Sequence, residues 1–396
     1  MERIKMIPFE KAYRIMMETA EPVKNIEKVP LIDSGGRVLA GDIRSDVDMP
    51  PFNKSAMDGF ACRLEDTGST LEIIETIPAG REPDKKIGPG QCSRIMTGAV
   101  VPEGADTVVM VEHTEVRGER VTVTRKSGKG NICYRAEDVA AGDLVLKKGT
   151  VINAPEAAVL AAVGVSAVPV IRKPVLGIIA TGSELVEPES RPGRAGIRNS
   201  NSYQLCVQIG QAGFEPRYLG IAEDRPEAIA ETIEKNRDEV DIFLLSGGVS
   251  MGEYDFVPGV LREKGYQLLF EKIAIKPGKP TVYGKGEYGY VFGLPGNPVS
   301  TFIIFEILVK PFCFSLMGHY YQPRKVKATL AGDLKRRKSV RLSHIPVRFN
   351  EDGKVERVDY HGSAHIHAYT VADGFIAIPV GTDRVEAGSI LEVILI

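Results

Sequence analysis

Three glycine-rich turns follow one another within residues 241–301, and each could direct backbone N–H groups at an anion. They read LSGGVS (245–250), IKPGKP (275–280) and LPGNPVS (294–300). The first follows the apolar run Asp241–Leu245, which is typical of a strand buried on both faces. Glycines allow backbone conformations that a Cβ blocks, so several N–H groups can converge on one oxyanion.

Charged side chains of both signs lie beside these turns. Lys276 and Lys279 supply positive charge, and Glu253 and Asp255 supply carboxylates. Lysines and main-chain N–H groups can hold oxyanions directly, whereas carboxylates are hard oxygen ligands of the kind that Mg²⁺ prefers. The stretch therefore predicts an anion site that works with a metal ion.

The three turns, in this order, resemble those of the MoeA family, the molybdopterin molybdenumtransferases. Further motifs of the family follow in family order along almost the whole chain: PPFNKSAMDGFA (50–61), RIMTGAVVPEGADTVV (94–109), ATGSEL (180–185) and GIAEDRP (220–226). A single glycine-rich loop is a weak signal, but an ordered set of this length is very specific.

The resemblance implies an enzyme of molybdenum cofactor biosynthesis that inserts molybdate into adenylylated molybdopterin and releases AMP. It also implies assistance by a divalent metal, usually Mg²⁺, an upstream adenylyltransferase, and an elongated homodimer whose clefts are shared between subunits. Two anions, a phosphoanhydride and a tetrahedral dianion, must meet in such a site. At about 4 Å two like unit charges repel by roughly 4 kcal/mol at an effective dielectric of about 20, so cations and donors are required.

Residue roles carry over from the family where its motifs match. Asp58 matches the functional acid of SAMDGFA, although Asp58-Gly59 by itself would be read as a turn. Asp138, in NICYRAEDVAAGD (131–143), is a weaker match, because Cys133 replaces an Arg and Ala136 a Gly. The catalytic candidates are Asp58, Thr97, Asp138, Glu184, Asp224 and Asp255, with Asp224 and Asp255 as Mg²⁺ ligands. The candidate substrate and anion contacts are Thr181, Gly182, Ser183, Ser246, Gly247, Gly248, Lys272, Lys276, Lys279, Ser300 and Ser363.

The elements that must position these residues alternate between strand and helix after Pro174. The pattern predicts strands at 175–180, 216–221, 241–245, 267–275 and 289–293, and helices at about 200–212, 225–238, 254–264 and 298–317. Such alternation favours a doubly wound, mostly parallel sheet with helices on both faces. Ligands of these sheets bind at the carboxyl ends of the strands, where the 181–183 and 246–248 turns fall.

The chain is predicted to be an α/β multidomain protein. Residues 1–170 form an N-terminal region of two interleaved subdomains, with a β-rich part at about 50–140. The alternation predicts an α/β domain at 171–320, which the resemblance implies is of the molybdopterin-binding type, and short strands with Gly turns predict a small β-barrel or sandwich at 321–396. A chain of 396 residues is too long for one core and is consistent with two to four domains.

Composition excludes several classes of protein. The net charge of −2 gives no field that would attract nucleic acid, and five cysteines without CxxC spacing argue against a disulfide framework or zinc site. The first 20 residues lack a signal-peptide core, and no run of about 18 apolar residues is evident. We therefore expect a cytoplasmic protein that binds neither nucleic acid nor membranes.

Several alternatives remain open from the sequence. The basic segment Arg324–Arg341 could be a solvated face or a wall of the anion cleft, with Arg336 or Arg341 contributing. His361, His365 and His367 could ligate a metal by residue type, although the matching loop of the family is not a metal site. Rival functions are a molybdopterin adenylyltransferase, a non-catalytic pterin-binding module and a scaffold. The sequence does not distinguish molybdate from tungstate, and it does not show which subunit contributes Asp58 to each cleft.

Overall fold

The computed structural model describes residues 5–125, 130–249 and 256–396. The first helix, α1 (Phe9–Glu18), is amphipathic, and its buried residues Ala12 and Met16 join the largest hydrophobic core. The hydroxyl of Thr19, at its C-terminal end, is hydrogen-bonded to that of Tyr283 at 2.7 Å. The helix therefore packs on the central part of the chain, far from it in sequence.

The remainder of the N-terminal half is built mainly from short strands. Helix α2 (Ala154–Ala162) begins with a capping box made by Asn153 and Glu156, which satisfies backbone groups at its start. The strands are β1 (Ile26–Pro30), β2 (Ile43–Arg44), β3 (Lys54–Ser55), β4 (Gly59–Cys62), β5 (Thr70–Ile77), β6 (Gln91–Ile95), β7 (Thr107–Met110), β8 (Thr114–Arg117), β9 (Arg120–Val123), β10 (Ile132–Cys133), β11 (Leu144–Leu146) and β12 (Ala167–Ile171).

These strands pair in two ways. Strands β1, β2 and β3 pair with β12, β11 and β10, so the chain leaves and re-enters the same small sheets. Between them, a mixed six-stranded sheet has the order β7-β4-β6-β5-β9-β8, with a parallel β5–β6 pair. The alternation of apolar and polar residues in 71–125 places Leu71, Val109 and Val121 in the core of this sheet.

The central part contains a six-stranded sheet of order β16-β13-β17-β21-β20-β18. The strands and helices of this central part, including three strands outside the sheet, are β13 (Val175–Thr181), β14 (Leu185–Val186), β15 (Ile197–Arg198), β16 (Glu215–Ala222), β17 (Ile242–Ser246), β18 (Gln267–Phe270), β19 (Ile275–Lys276), β20 (Val282–Gly286), β21 (Gly289–Leu294), α3 (Asn201–Gln211), α4 (Pro226–Asn236), α5 (Val257–Glu263), α6 (Pro298–Ile304) and α7 (Lys310–Leu316). Alternate strand residues enter two cores: Ile178 packs with α3 and α6, and Ile179 packs with α4 and α5.

The sheet is mixed, with one antiparallel strand in an otherwise parallel arrangement. Strands β16, β13, β17 and β21 are paired in parallel, and β20, which lies between β21 and the edge strand β18, is antiparallel to both neighbours. Strand β20 was not predicted. The predicted strand 267–275 is divided into β18 and β19, because the backbone between them pairs with Ile7 through Lys272 and Ala274.

Helices α6 and α7 are continuous through a π-helical turn at Phe305–Val309. Among the described residues, this stretch is long and apolar enough to cross a membrane by length and composition alone. The sequence analysis did not identify this apolar stretch because two charged residues, Glu306 and Lys310, interrupt it. They form an ion pair at 3.0 Å. It lies within the protein, where 78% of its apolar window is buried, and it is therefore a core helix.

The C-terminal part is a β-sheet joined to the central part. Its strands are β22 (Lys325–Thr329), β23 (Leu334–Lys335), β24 (Leu342–Phe349), β25 (Val355–Arg357), β26 (Gly374–Ile378), β27 (Arg384–Val385) and β28 (Ile390–Leu395). The main sheet has the order β19-β24-β26-β28-β22. Because β19 belongs to the lysine-rich turn at 275–280, this pairing places that turn against the C-terminal sheet.

Candidate active-site cleft

A cleft of about 600 Å³ lies at the carboxyl ends of β13, β17 and β21. This is the edge at which parallel α/β sheets bind ligands. Seven of the predicted site residues line the cleft: Thr181, Gly182, Glu184, Asp224, Ser246, Gly247 and Gly248. The turns at 181–183 and 246–248 therefore come together as the alternating pattern predicted.

Backbone contact between the loops requires glycine at position 247. Gly247 has φ +104°, and a Cβ there would lie 2.3 Å from the carbonyl oxygen of Thr181. Its N–H donates to the carbonyl of Leu294 at 3.0 Å. A side chain at Gly247 would therefore separate three loops that must touch.

Two carboxylates lie on the cleft wall. Asp224 follows β16, and its Oδ2 accepts hydrogen bonds from Ser183 N at 2.9 Å and Ser183 Oγ at 3.2 Å. The carboxylate of Glu184 folds back over the backbone of Gly182. A Cβ added at Gly182 would lie 2.7 Å from Glu184 Oε2. Ser183 is not among the described residues that line the cleft, and it instead holds Asp224.

Sequence reasoning missed a polar group at the start of α3. Asn199 and Asn201 line the cleft and are 2% and 9% exposed. The Nδ2 of Asn199 donates to Tyr218 Oη, which donates to Glu187. The signal was the polar run Asn-Ser-Asn-Ser at 199–202, directly before a predicted helix, where such residues cap and turn the chain.

A second cavity, of about 500 Å³, lies beside the cleft and is rich in cations. Its basic lining residues are Lys276, Lys335, Arg336, Arg337, Lys338 and Arg357. The guanidinium of Arg336 is held by backbone carbonyls, donating to Pro379 O at 2.8 Å and Arg341 O at 2.6 Å. Arg341 is not among the described lining residues of this cavity, and its Nη1 donates to Ile275 O.

Two segments contribute to both spaces. In the segment 276–280, Lys276 and Pro277 line the basic cavity, whereas Pro280 lines the cleft. In the segment 361–364, His361 and Gly362 line the basic cavity, whereas Ala364 lines the cleft. The cleft and the basic cavity are therefore neighbours with shared walls.

The remaining predicted anion contacts lie around these walls. Ser363 is half-buried, and its carbonyl accepts the N–H of Val299 at 3.0 Å, which fixes the 361–364 segment to the start of α6. Ser300 is only 3% exposed. Lys279 is exposed, and Lys272 is half-buried with its carbonyl bonded to Ile7 N.

Asp58 and Thr97 form a pair on the N-terminal mixed sheet. The Oδ1 of Asp58 accepts hydrogen bonds from Thr97 N and Thr97 Oγ1, both at 2.7 Å. Donation by the Thr97 backbone, and then by its hydroxyl, holds the pKa of Asp58 below its usual range. Both residues are exposed, and neither is among the described residues that line the cleft of the same chain.

Asp138 is also exposed and outside the described cleft lining. Its N–H donates to the carbonyl of Met49 at 3.0 Å. Ala136, two residues earlier, has φ +61°, a conformation in which glycine is at ease and alanine is not. The loop thus follows a path suited to the Gly of the family motif while carrying an Ala.

Asp255, the second predicted Mg²⁺ ligand, lies outside the described residues, as does Glu253. Within the described ranges, no three His, Cys, Asp or Glu side chains are grouped so as to hold a metal. Asp224 and Glu184 nevertheless share the cleft, and Mg²⁺ commonly takes one or two carboxylates together with waters and phosphate oxygens. The donor set fits Mg²⁺ held jointly with a phosphorylated ligand.

The three clustered histidines are stacked. The ring centroids of His361 and His365 are 5.1 Å apart and those of His365 and His367 are 6.4 Å apart, with interplanar angles of 10° and 11°. Parallel stacked rings do not direct their nitrogens at one point. The arrangement does not favour the alternative of a metal site.

Three family models match consecutive parts of the chain. The model for the MoeA N-terminal region (domains I and II) matches residues 7–164. The model for a probable molybdopterin binding domain matches residues 177–314, and the model for the MoeA C-terminal region (domain IV) matches residues 326–396. The cleft and the basic cavity are both built from matched segments.

Relatives of known name match over nearly the whole chain. A molybdopterin molybdenumtransferase of Staphylococcus epidermidis is 40% identical, over 96% of this chain and 93% of that protein. One of Bacillus subtilis is 35% identical, over 100% of this chain and 95% of that protein. The crystal structure of the molybdopterin biosynthesis moeA protein of Pyrococcus horikoshii has a TM-score of 0.87 and 33% identity, covering 99% of this chain and 100% of that one.

Proposed function

The chain belongs to the MoeA family of molybdopterin molybdenumtransferases, and from this premise we propose that it inserts molybdate into adenylylated molybdopterin with release of AMP. It is a transferase of molybdenum cofactor biosynthesis. The observation that carries the proposal is the pair of adjoining spaces with shared walls. One is a cleft suited to a pterin phosphate, and the other is a cavity suited to a small oxyanion.

The cleft would bind the molybdopterin side of the substrate. Ser246, Gly247 and Gly248 lie at the end of a buried parallel strand, and the Ser246 hydroxyl and the Gly248 N–H would contact phosphate oxygens. Thr181 and Gly182 would line the opposite wall. Asp224, held by two donors of Ser183, would keep a fixed orientation toward the phosphoanhydride.

The basic cavity would bind molybdate. Lys276 is exposed at its wall and brings a mobile positive charge, and Lys272 and Lys279 lie on the same segment. The carbonyl of Ser363 accepts the N–H of Val299, the residue before Ser300, and so joins the 361–364 segment to α6. Cations on one side of the shared wall would offset the repulsion between molybdate and the phosphoanhydride.

Mg²⁺ would be held by Asp224 with Asp255 and Glu184, and when bound it would neutralise charge on the phosphate oxygens. The protein residues themselves orient the two anions and exclude water between them. Asp58, Thr97 and Asp138 would complete the site from the second subunit of a homodimer. Their position outside the described lining of the cleft in their own chain supports this arrangement.

We further infer the finer architecture from the same observations. Helices on both faces of the central sheet support a doubly wound domain at 171–320. The strand order of the C-terminal sheet supports a small barrel at 321–396, and the strand pairings of the first half support interleaved subdomains within 1–170. A cytoplasmic location and supply by an upstream adenylyltransferase complete the proposal.

A molybdopterin adenylyltransferase is the nearest alternative. Such an enzyme would need ATP and would not need the segments at 7–164 and 326–396, which match MoeA-specific models here. A non-catalytic pterin-binding module would not need the paired acids and lysines.

The test is AMP release from purified adenylylated molybdopterin, with and without molybdate and Mg²⁺. The proposal expects release that requires both ions. Consumption of ATP without the adenylylated substrate would favour the adenylyltransferase, and tight pterin binding without release would favour the binding module.

A further inference from the structure

Asn201 connects two of the loops that form the cleft. It is the first residue of α3, lines the cleft and is 9% exposed. Its Nδ2 donates to Ser246 Oγ at 2.8 Å and to the carbonyl oxygen of Gly296 at 2.8 Å. One side-chain amide therefore spans the loop after β17 and the loop after β21.

The first of these hydrogen bonds determines what the Ser246 hydroxyl can do. Because its Oγ accepts a hydrogen bond from Asn201 Nδ2, its own O–H is available to donate to a different acceptor. Ser246 is 3% exposed and lines the cleft, and within the described ranges no protein group accepts that proton. The hydroxyl is thus prepared to donate to a ligand, and a bond to an anionic oxygen is the strong kind.

The second observation is an unpartnered atom. The Oδ1 of Asn201 is buried and has no hydrogen-bond partner among the described residues. A buried acceptor without a partner destabilises the folded protein. An amide kept at such a cost, in a cleft wall and between two glycine-containing loops, indicates a functional requirement.

We propose that Asn201 is a positioning residue that fastens the 246–248 and 295–297 loops together and directs the Ser246 hydroxyl proton at an oxyanion of the bound pterin phosphate. The inference deepens the proposed function and rests on it, because it names the group that would bind the phosphate side of the substrate. Asn201 acts through Ser246 and does not itself take part in bond breaking.

A double-mutant cycle of Asn201→Ala and Ser246→Ala tests the connection. Each single change is expected to raise KM for adenylylated molybdopterin about tenfold, or roughly 1.4 kcal/mol, with kcat within about twofold. Because both changes remove the same directed hydroxyl, the double variant should be no worse than about tenfold. A multiplicative loss of about a hundredfold would show independent roles and overturn the proposal.

Gln208→Ala is the matched control. Gln208 lies on the same helix, is 6% exposed, and its Nε2 donates to Glu306 Oε1 at 2.9 Å and Phe302 O at 3.4 Å. It is not among the described lining residues of the cleft. Its replacement should lower the melting temperature by an amount similar to Asn201→Ala while KM stays unchanged. An equal rise in KM would mean that α3 stability alone matters.

Asn201→Asp keeps the shape of the side chain but removes both donated hydrogen bonds, and its melting temperature shows whether the fold is retained. The new carboxylate can accept the Ser246 proton but cannot donate, so it reverses the hydrogen bond, and KM should rise at least as much as with Asn201→Ala. An unchanged KM would overturn the proposal. The same cycle can be measured as the Kd for molybdopterin by pterin fluorescence. If the wild type released no AMP, the proposed function would be wrong, but the Kd values would still test the role of Asn201.

Discussion

Two of the predicted catalytic acids are held by neighbouring hydrogen-bond donors. Ser183 holds Asp224 on the cleft wall, and Thr97 holds Asp58 on the N-terminal sheet. In both pairs a backbone N–H and a hydroxyl of one residue reach the same carboxylate oxygen. The hydrogen bonds orient both acids, and at Asp58 they also hold the pKa below its usual range.

Lys276→Ala tests the assignment of the basic cavity to molybdate. Removing this exposed ammonium should raise the half-saturating molybdate concentration about tenfold, or roughly 1.4 kcal/mol, while KM for the pterin substrate changes little. AMP release titrated with molybdate measures it. Lys327→Ala is the control, since Lys327 is exposed on β22 and is not among the described lining residues of the cavity. An unchanged half-saturation would show that Lys276 is misassigned.

Thr97→Val tests the cause of the lowered pKa of Asp58. The change removes the hydroxyl donor and keeps the backbone donor, so the pKa of Asp58 should rise part of the way toward its ordinary value. A carboxyl whose pKa is lower in the folded than in the unfolded chain stabilises the folded state above the unfolded pKa. That stabilisation is lost as the pH falls through the folded pKa. Because the folded pKa is higher in the variant, the stabilisation from Asp58 should be lost at a higher pH. A carbon-detected NMR titration of Asp58 measures the shift, and Thr97→Ser should leave the pKa unchanged.

Among the connecting elements, the loop at 134–139 carries a local strain. Ala136 has φ +61° and its N–H donates to Pro50 O at 3.0 Å. A non-glycine residue in the left-handed conformation destabilises the folded state by about 1–2 kcal/mol. Replacing it with glycine removes that penalty but also lowers the stability by about 0.4–1 kcal/mol, because glycine gives the unfolded chain more conformational entropy. The loop path is retained because both Ala136 and Asp138 bond to the neighbouring 49–50 backbone.

Ala136→Gly should therefore raise the free energy of unfolding by about 0.5–1 kcal/mol. Urea unfolding followed by a probe on the N-terminal region measures it. Ala140→Gly serves as the control, because Ala140 is not among the described residues with positive φ. Glycine at that position should be neutral or destabilising, and stabilisation by both changes would contradict the strain.

Strand β24 carries a histidine that should make stability fall at acid pH. His344 is 4% exposed, packs between Phe9 and Phe375, and burial lowers its pKa to about 4. The unfolded chain takes up a proton near pH 6.5 and the folded chain does not, so stability falls as pH drops from about 6.5 to about 4. His344 also lines the basic cavity together with Lys276 and Arg336.

His344→Phe should remove this dependence. The wild type should lose on the order of 3 kcal/mol through this group between pH 7 and pH 4, and the variant should lose correspondingly less. Urea midpoints across that range measure the difference. His319→Phe is the comparison, because His319 is half-buried near the surface. Identical pH profiles for wild type and His344→Phe would contradict the assignment.

At the scale of the whole molecule, the predicted site is divided. Thr181, Asp224 and Ser246 line the cleft, but Asp58 and Thr97 lie on the N-terminal mixed sheet outside the described lining of the same chain. A dimer with shared clefts would bring the two groups together, since a two-fold interface repeats each contact twice.

Hybrid dimers of Asp58→Asn and Asp224→Asn subunits test this arrangement. Each homodimer should be nearly inactive. If Asp58 acts across the interface, each hybrid contains one intact cleft; random exchange makes half of the dimers hybrids, and about a quarter of wild-type AMP release should return. Mass photometry would confirm the exchange. If both acids act within one chain, the mixture stays inactive.

The sequence by itself determined the local chemistry of this protein. Turns such as Ser246-Gly247-Gly248 and the period of α3 are encoded within a few residues, because glycine conformations and apolar spacing are local properties. Family membership, the α/β character and the cleft position at 181–183 and 246–248 followed from them.

The tertiary structure alone decided which distant segments meet. The amide of Asn201 reaches Ser246 and Gly296, β19 pairs with β24 of the C-terminal sheet, and β20 enters as an antiparallel strand between β21 and β18. These contacts join residues far apart in the chain, and their formation depends on burial and on backbone groups that need partners after folding. Local sequence propensities do not specify pairings between distant segments. The sequence therefore indicated which residues form the cleft, whereas the tertiary fold determined which residues lie next to them.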